Sequence, residues 1–244
     1  MPFLLGVVLT GVGLFLRLKV LESPLFAKLA AEKLPPGLPL REVLRRPRNV
    51  LLAMGARVAE NGFFYFFTVF SLNYGTQHLG LSRAMLLEGV MVGAVVHLIA
   101  TPLFGALSDR VGRRPVYLGG ALFLGAFAFP FFWLIGLRST ESVWLAIVVG
   151  MIGHAAMYGP QAAFLSELFG TRVRYTGASL GYQLAAPLSG GLAPLFATGL
   201  LAWSGGDPWP VGVYLVGLAL ITIVAVLLVA ETHRSDLAND PVTS

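Results

Sequence analysis

Residues 105–115 read GALSDRVGRRP, an acid and three arginines packed into one short stretch between two long apolar runs. Upstream, residues 85–107 carry few charges; downstream, residues 116–137 carry none. A chain that crosses a membrane segregates charge in this way, because ionised groups are costly in hydrocarbon and collect where the chain emerges. Composition agrees. Of 244 residues, 56% are apolar and 12% charged, with a mean hydropathy of +0.77. Soluble domains sit near 45–50% apolar and about 25% charged. Apolar runs of the roughly 20 residues needed to span a bilayer recur along the chain. The short alternating segments of a membrane barrel are absent. The fold class is therefore all-α, a polytopic membrane protein.

Seven spans are expected, near 2–20, 50–73, 84–107, 116–137, 143–166, 177–203 and 211–230. The first is short, since only residues 3–16 precede Arg17. The chain then divides into a first helix (1–20), a loop (21–49), a six-helix bundle (50–230) and a tail (231–244). Within the loop, PLFAKLAAEKL follows ESP, where serine fits an N-cap and proline a first helical position. It reads as a short amphipathic helix in a solvated connector.

Basic residues set the orientation. Fourteen of the seventeen Lys and Arg fall in alternate loops: residues 17–48, the turn with Arg110, Arg113 and Arg114, the loop with Arg172 and Arg174, and the tail. By the positive-inside rule these segments, the C-terminus included, are cytoplasmic. The pI of 9.8 is thus a topology signal and implies no nucleic acid. The absence of cysteine excludes disulfides, thiolate metal sites and cysteine nucleophiles.

Polar groups inside the spans are unevenly placed. The second span holds Arg57, Glu60, Asn61 and Tyr65; the third Glu88 and His97; the fifth His154, Tyr158 and Gln161; the sixth Tyr182 and Gln183. The fourth and seventh hold no ionisable group beyond Tyr117 and Tyr214, near their ends. Spans two, three, five and six are expected to line a polar cavity, with four and seven facing lipid. Arg57 and Glu60, three apart, share a helix face. They read either as a substrate or proton site or as a structural pair. His154, Tyr158 and Gln161 repeat along one face, while each histidine alone reads equally as a proton relay or a packing residue. No histidine spacing suits a metal, and no cofactor is implied. Glycines and prolines interrupt the fifth span at Gly159-Pro160 and the sixth at Pro187, Gly190, Gly191 and Pro194, as hinges or as close-packing positions.

GALSDRVGRRP resembles the G-x-x-x-D-R-x-G-R-R signature of the major facilitator superfamily. LESPLF (21–26) is similar to the sequence after the sixth helix in sugar-porter-like members. YGPQAAFLSELFGTRVRYTGASLGYQ (158–183) is similar to a segment of the metabolite:proton symporter branch, with Gly170 in place of a proline. The resemblance implies the C-terminal six-helix bundle of the major facilitator fold plus the preceding helix. It implies a partner N-terminal half, missing or on a separate chain, so that the chain reads as a fragment, an internal start or one part of a split transporter.

The expected function is secondary transport in the cell (plasma or inner) membrane: proton-coupled symport of a small hydrophilic metabolite, an organic acid or zwitterion. Candidate substrate and proton residues are Arg57, Glu60, Asn61, Tyr65, His97, His154, Tyr158, Gln161 and Gln183. A cytoplasmic gate is expected from Asp109, Arg110, Gly112, Arg113 and Arg114, with Glu167, Arg172 and Arg174 as a second latch. Two other readings stand beside this one. One is a non-transporting membrane subunit or regulatory half-protein that pairs with another subunit; the other is a seven-helix receptor. A retinal-type receptor would need a lysine in its last span, and the only lysines are Lys19, Lys28 and Lys33. An enzyme would need a nucleophile–base or metal constellation, which is lacking.

Overall fold

The structure is a computed structural model describing residues 2–19, 43, 45, 47–169 and 173–229. The amphipathic helix expected after ESP, the tail and Arg172 lie outside the described residues. The chain forms two compact units, Met1–Gly37 and Leu38–Ser244. The first contains α1 (Pro2–Lys19), whose apolar stretch Gly6–Phe15 is short for a bilayer crossing.

The second unit holds six long helices. α2 covers 47–77 as Pro47–Tyr65, a π-helical segment Phe66–Phe70, and Ser71–Gln77. α3 is Arg83–Val111, α4 Arg113–Gly136 and α5 Thr140–Glu167. α6 is Arg174–Trp203, with a second π segment at Ala186–Gly191, and α7 is Trp209–Leu227. The described residues contain no strand. α3 to α7 are each long and apolar enough to cross a membrane. α2 is also long enough, but Arg57, Glu60 and Asn61 dilute its apolar surface.

Local chemistry sets the ends. Ser82 Oγ accepts the Met85 N–H at 3.2 Å at the start of α3. Ser139 Oγ accepts the Ser142 N–H at 3.2 Å at the start of α5. These side chains satisfy amides that have no helical partner. Between α3 and α4 the whole connection is one residue, Gly112, at φ 111°. A side chain there would be strained, so this glycine is what lets the chain reverse in so little length.

α2 packs on α6 and α7, α5 on α3 and α4, and α4 also on α7. Small residues permit close approach: Gly181 faces Ala53 and Gly55 faces Ala225. Bilayer helices associate through such packing, since lipid removes the usual hydrophobic drive. Farther along α2, Phe63, Phe66, Phe67 and Phe70 interlock with Phe131 and Phe132 of α4. The Phe66 and Phe131 rings meet edge-on at 4.9 Å.

The fourth and seventh spans, expected to face lipid, also pack against the bundle on their other side. About half of each one's most apolar stretch is buried, 44% for α4 and 50% for α7, against 11% for α3 and 33% for α6. The reason is that α4 and α7 back the bundle, and each sends a polar group inward. Thr222 of α7, fully buried, donates to Gly55 O at 2.8 Å and accepts the Ala59 N–H at 2.9 Å. The more open faces belong to α3 and α6, although Leu122 and Trp133 of α4 and Leu220 and Val224 of α7 are exposed as well.

Candidate functional site

α2 brings Arg57 and Glu60 to one inward face, where both are almost fully buried, at 4% and 3% exposure. Glu60 lies about 20 Å along the helix from Pro47, near the middle of a bilayer crossing. Their ion pair is loose, with Arg57 Nη1 at 3.5 Å from Glu60 Oε2. Gln161 of α5 ties them together. Its Nε2 donates to Glu60 Oε2 at 2.8 Å and to the Tyr117 hydroxyl at 3.2 Å, while its Oε1 accepts from Arg57 Nη1 at 3.3 Å. Tyr117 of α4 in turn donates to Ala56 O at 3.0 Å. The Tyr182 ring of α6 lies over the guanidinium, 3.0 Å from Arg57 Cζ. Among the described residues, Arg57 Nε, also buried, has no hydrogen-bond partner.

A second arm runs through the histidines. His154 Nε2 sits 3.4 Å from Glu60 Oε1 and 3.1 Å from the Glu60 main-chain oxygen. His97 Nε2 of α3 meets His154 Nδ1 at 2.8 Å. Thr101 Oγ1 lies 3.4 Å from His97 Nδ1. Tyr158 stacks on His154, centroids 5.7 Å apart, and contacts His97. An open cleft of about 460 Å³ borders the cluster between α3, α5 and α6, lined by Thr101, Tyr158, Gln161, Ser179, Tyr182 and Gln183 among others.

Of the sequence-predicted residues, Arg57, Glu60, His97, His154, Tyr158 and Gln161 form one connected cluster, and Gln183 lines its cleft. Asn61 instead braces α2 on the π segment of α6, donating to Ala186 O and Ser189 Oγ, both at 3.2 Å. Tyr65 is 37% exposed and packs over Gly190, outside the cluster's hydrogen bonds. Glu88 is exposed near the other end of α3. Sequence reasoning missed Tyr117 and Thr101 and left Tyr182 out of the site. Tyr117 was hidden by its place near a span end, although a long phenol carries its hydroxyl inward; Thr101, one turn after His97, was the readable hint. Among the described residues no three His, Asp or Glu side chains group to hold a metal.

The charged ends of α3, α4 and α5 form a separate network. Arg113 pairs with Asp109, donates to Ser108 Oγ at 2.8 Å, and reaches Glu167 Oε1 at 3.5 Å. The two expected latches therefore share Arg113. Arg114 caps the end of α7, donating to Leu227 O at 2.7 Å, where a helix gathers negative charge. Arg174 Nε donates to Phe169 O at 3.5 Å, and Arg110 is exposed.

Chemically, the cluster combines a buried guanidinium, a carboxylate within reach of an imidazole, and hydroxyls facing a cleft. Such a set can hold an anion and accept a proton. Comparison with known proteins matches residues 1–182 to the Major Facilitator Superfamily. The shikimate transporter of Escherichia coli K12 is 34% identical over 96% of this chain and 54% of its own length. The inner membrane metabolite transport protein YhjE of the same strain is 34% identical over 97% and 54%. The glycine betaine/proline/ectoine/pipecolic acid transporter OusA of Dickeya dadantii is 28% identical over 97% and 49%. The chain spans about half the length of the curated relatives it matches.

Proposed function

The chain belongs to the major facilitator superfamily, and from that premise we propose that it is the substrate- and proton-handling half of a secondary transporter for small organic acids or zwitterions. The single observation that carries this reading is the Arg57–Glu60–Gln161 cluster at mid-helix beside a polar cleft. Shikimate, betaine, proline and pipecolic acid, named for the relatives, all carry a carboxylate. A carboxylate is the natural acceptor for Arg57, whose buried Nε has no partner among the described residues.

Coupling follows from charge. An arriving carboxylate would leave Arg57 facing two anions in a buried site, which is costly. A proton on Glu60 removes one of them. Substrate and proton therefore favour each other's binding. Tyr182, lying over the guanidinium, must shift for the carboxylate to reach it. The open faces of α3 and α6, with Met91 and Leu98 69% and 74% exposed, suit burial against a second six-helix bundle. The setting would be a bacterial inner membrane with the arginine-rich ends and the C-terminus in the cytoplasm.

The test is uptake into vesicles from cells producing the chain as part of a complete two-bundle transporter, with labelled shikimate and labelled betaine as probes. Arg57→Gln is expected to abolish all uptake. Glu60→Gln is expected to abolish accumulation driven by an imposed pH gradient while exchange across preloaded vesicles persists. Gradient-driven accumulation by Glu60→Gln at the wild-type level would overturn the assignment of Glu60.

A further inference from the structure

We propose that His97 and His154 form a proton path joining Glu60 to the polar face of α3 at Thr101, so that Glu60 exchanges its proton through the imidazoles. The inference rests on the function proposed above and deepens it by assigning the proton a route.

Donor and acceptor roles follow from the partners. Both groups facing His154 Nε2, the Glu60 carboxylate and the Glu60 main-chain oxygen, accept hydrogen bonds when Glu60 is ionised. His154 Nε2 must then carry a hydrogen. Neutral His154 offers a bare Nδ1, so His97 Nε2 donates to it across 2.8 Å. That leaves His97 Nδ1 bare, 3.4 Å from Thr101 Oγ1, whose hydroxyl donates to His97 O at 2.8 Å; Thr101 lines the cleft. With Glu60 ionised, both imidazole N–H groups point toward the carboxylate.

The same atoms support the opposite polarity. A proton added at His97 Nδ1 lets the Nε2 proton of His97 pass to His154 Nδ1, and the Nε2 proton of His154 pass to Glu60 Oε1. One N–H bond is made and one broken at each imidazole, an O–H forms on Glu60, and neither ring ends with extra charge. The product is again fully bonded: the Glu60 hydroxyl donates to His154 Nε2, and His154 Nδ1–H donates to His97 Nε2. Two complementary hydrogen-bond orders on one set of atoms are what a reversible proton wire requires.

Burial makes the route selective. His154 is 1% exposed, whereas His97 is half-buried on the open face of α3. Titratable and charged neighbours of the pair are Arg57 and Glu60 from α2, Tyr117 from α4, Tyr158 on α5 and Tyr182 from α6. Tyr158 stacks on His154 and meets His97 at a tilt, and Phe64 of α2 lies 5.5 Å from His154. The rings are thereby held for transfer, and Gln161 occupies the opposite side of the carboxylate, where its amide cannot relay a proton at ordinary pH.

The experiment follows the infrared carbonyl band of protonated Glu60, identified by its loss in Glu60→Gln, in the purified full chain after a rapid drop in pH. His97→Ala is expected to slow the rise of the band roughly 100-fold, in keeping with the loss of a positioned proton-transfer group, and leave its final height little changed. Added imidazole should restore the rate. His97→Gln, which keeps a donor toward His154 but cannot shuttle a proton, should be as slow, and it replaces His97→Ala if that variant fails to fold. A wild-type rate in His97→Gln overturns the path and leaves carboxylate binding at Arg57 untouched. No protonated Glu60 band at any pH overturns both the path and the proton role of Glu60, and so separates failure of the relay from failure of the coupling.

Discussion

At Gln161 a single side-chain amide serves a carboxylate, a guanidinium and a phenol drawn from two neighbouring helices. Hydrogen bonds between helices in membranes average about 0.6 kcal/mol each, because the unfolded chain in lipid also finds partners. Three such bonds put the cost of Gln161→Leu at about 2 kcal/mol. Tyr117→Phe, which leaves the Arg57 and Glu60 contacts of Gln161 in place, should cost about 1 kcal/mol by the same reckoning. Thermal unfolding of the purified chain checks the order: the midpoint should fall further for Gln161→Leu than for Tyr117→Phe. At this scale the sequence is readable where a residue violates its surroundings. Arg57 and Glu60 stand out in an oily run, and their spacing alone puts them on one face. Tyr117 violates nothing, since a tyrosine near a span end is ordinary, and only the packing of α4 on α2 carries its hydroxyl to the cluster.

The helices were legible from apolar length, and the ends in the structure lie within a few residues of those read from the sequence. Their irregularities were partly so. The glycines and prolines near 187–191 coincide with the π segment Ala186–Gly191, whereas Phe66–Phe70 contains neither and has no comparable sign. Gly159-Pro160, read as a hinge or a packing position, lies inside a continuous helix, and its glycine is a point of contact. A Cβ at Gly159 would stand 2.6 Å from Thr101 O and 2.8 Å from Gly105 N. Both are backbone atoms of α3 and cannot step aside. Gly159→Ala should therefore destabilise by about 1–3 kcal/mol and disturb α3 beside His97. Gly119 of α4 has nothing within 4 Å of its would-be Cβ, so Gly119→Ala should stabilise by up to about 1 kcal/mol through helix propensity. Opposite shifts of the thermal midpoint are the expected outcome. A fall for both would show that Gly119 is packed after all.

For the whole molecule, the proposed orientation rests on charge asymmetry, and cysteine scanning can test it on a chain that has no cysteine of its own. Val111 and Thr140, both exposed, lie beyond opposite ends of α4. A membrane-impermeant maleimide applied to intact cells should label Thr140→Cys, and should reach Val111→Cys only after permeabilisation. The reverse pattern would put the arginine-rich ends outside. Less legible was which helices are covered. Polar spans were read as lining a cavity, and α3 does so at Thr101 while only 11% of its most apolar stretch is buried, an openness that its polarity did not announce. On the function proposed above, the Arg57–Glu60 pair would have a further consequence, in the domain of voltage. With its two charges cancelled, the empty site carries no net charge. Loaded with a simple acid anion on Arg57 and a proton on Glu60, it carries none again. Such a cycle draws nothing from the transmembrane potential, which otherwise supplies about 2.3 kcal/mol per charge per 100 mV. A zwitterion brings an additional cation and makes the loaded form positive. One site would then concentrate acids on the pH gradient alone and zwitterions on the pH gradient and the potential together.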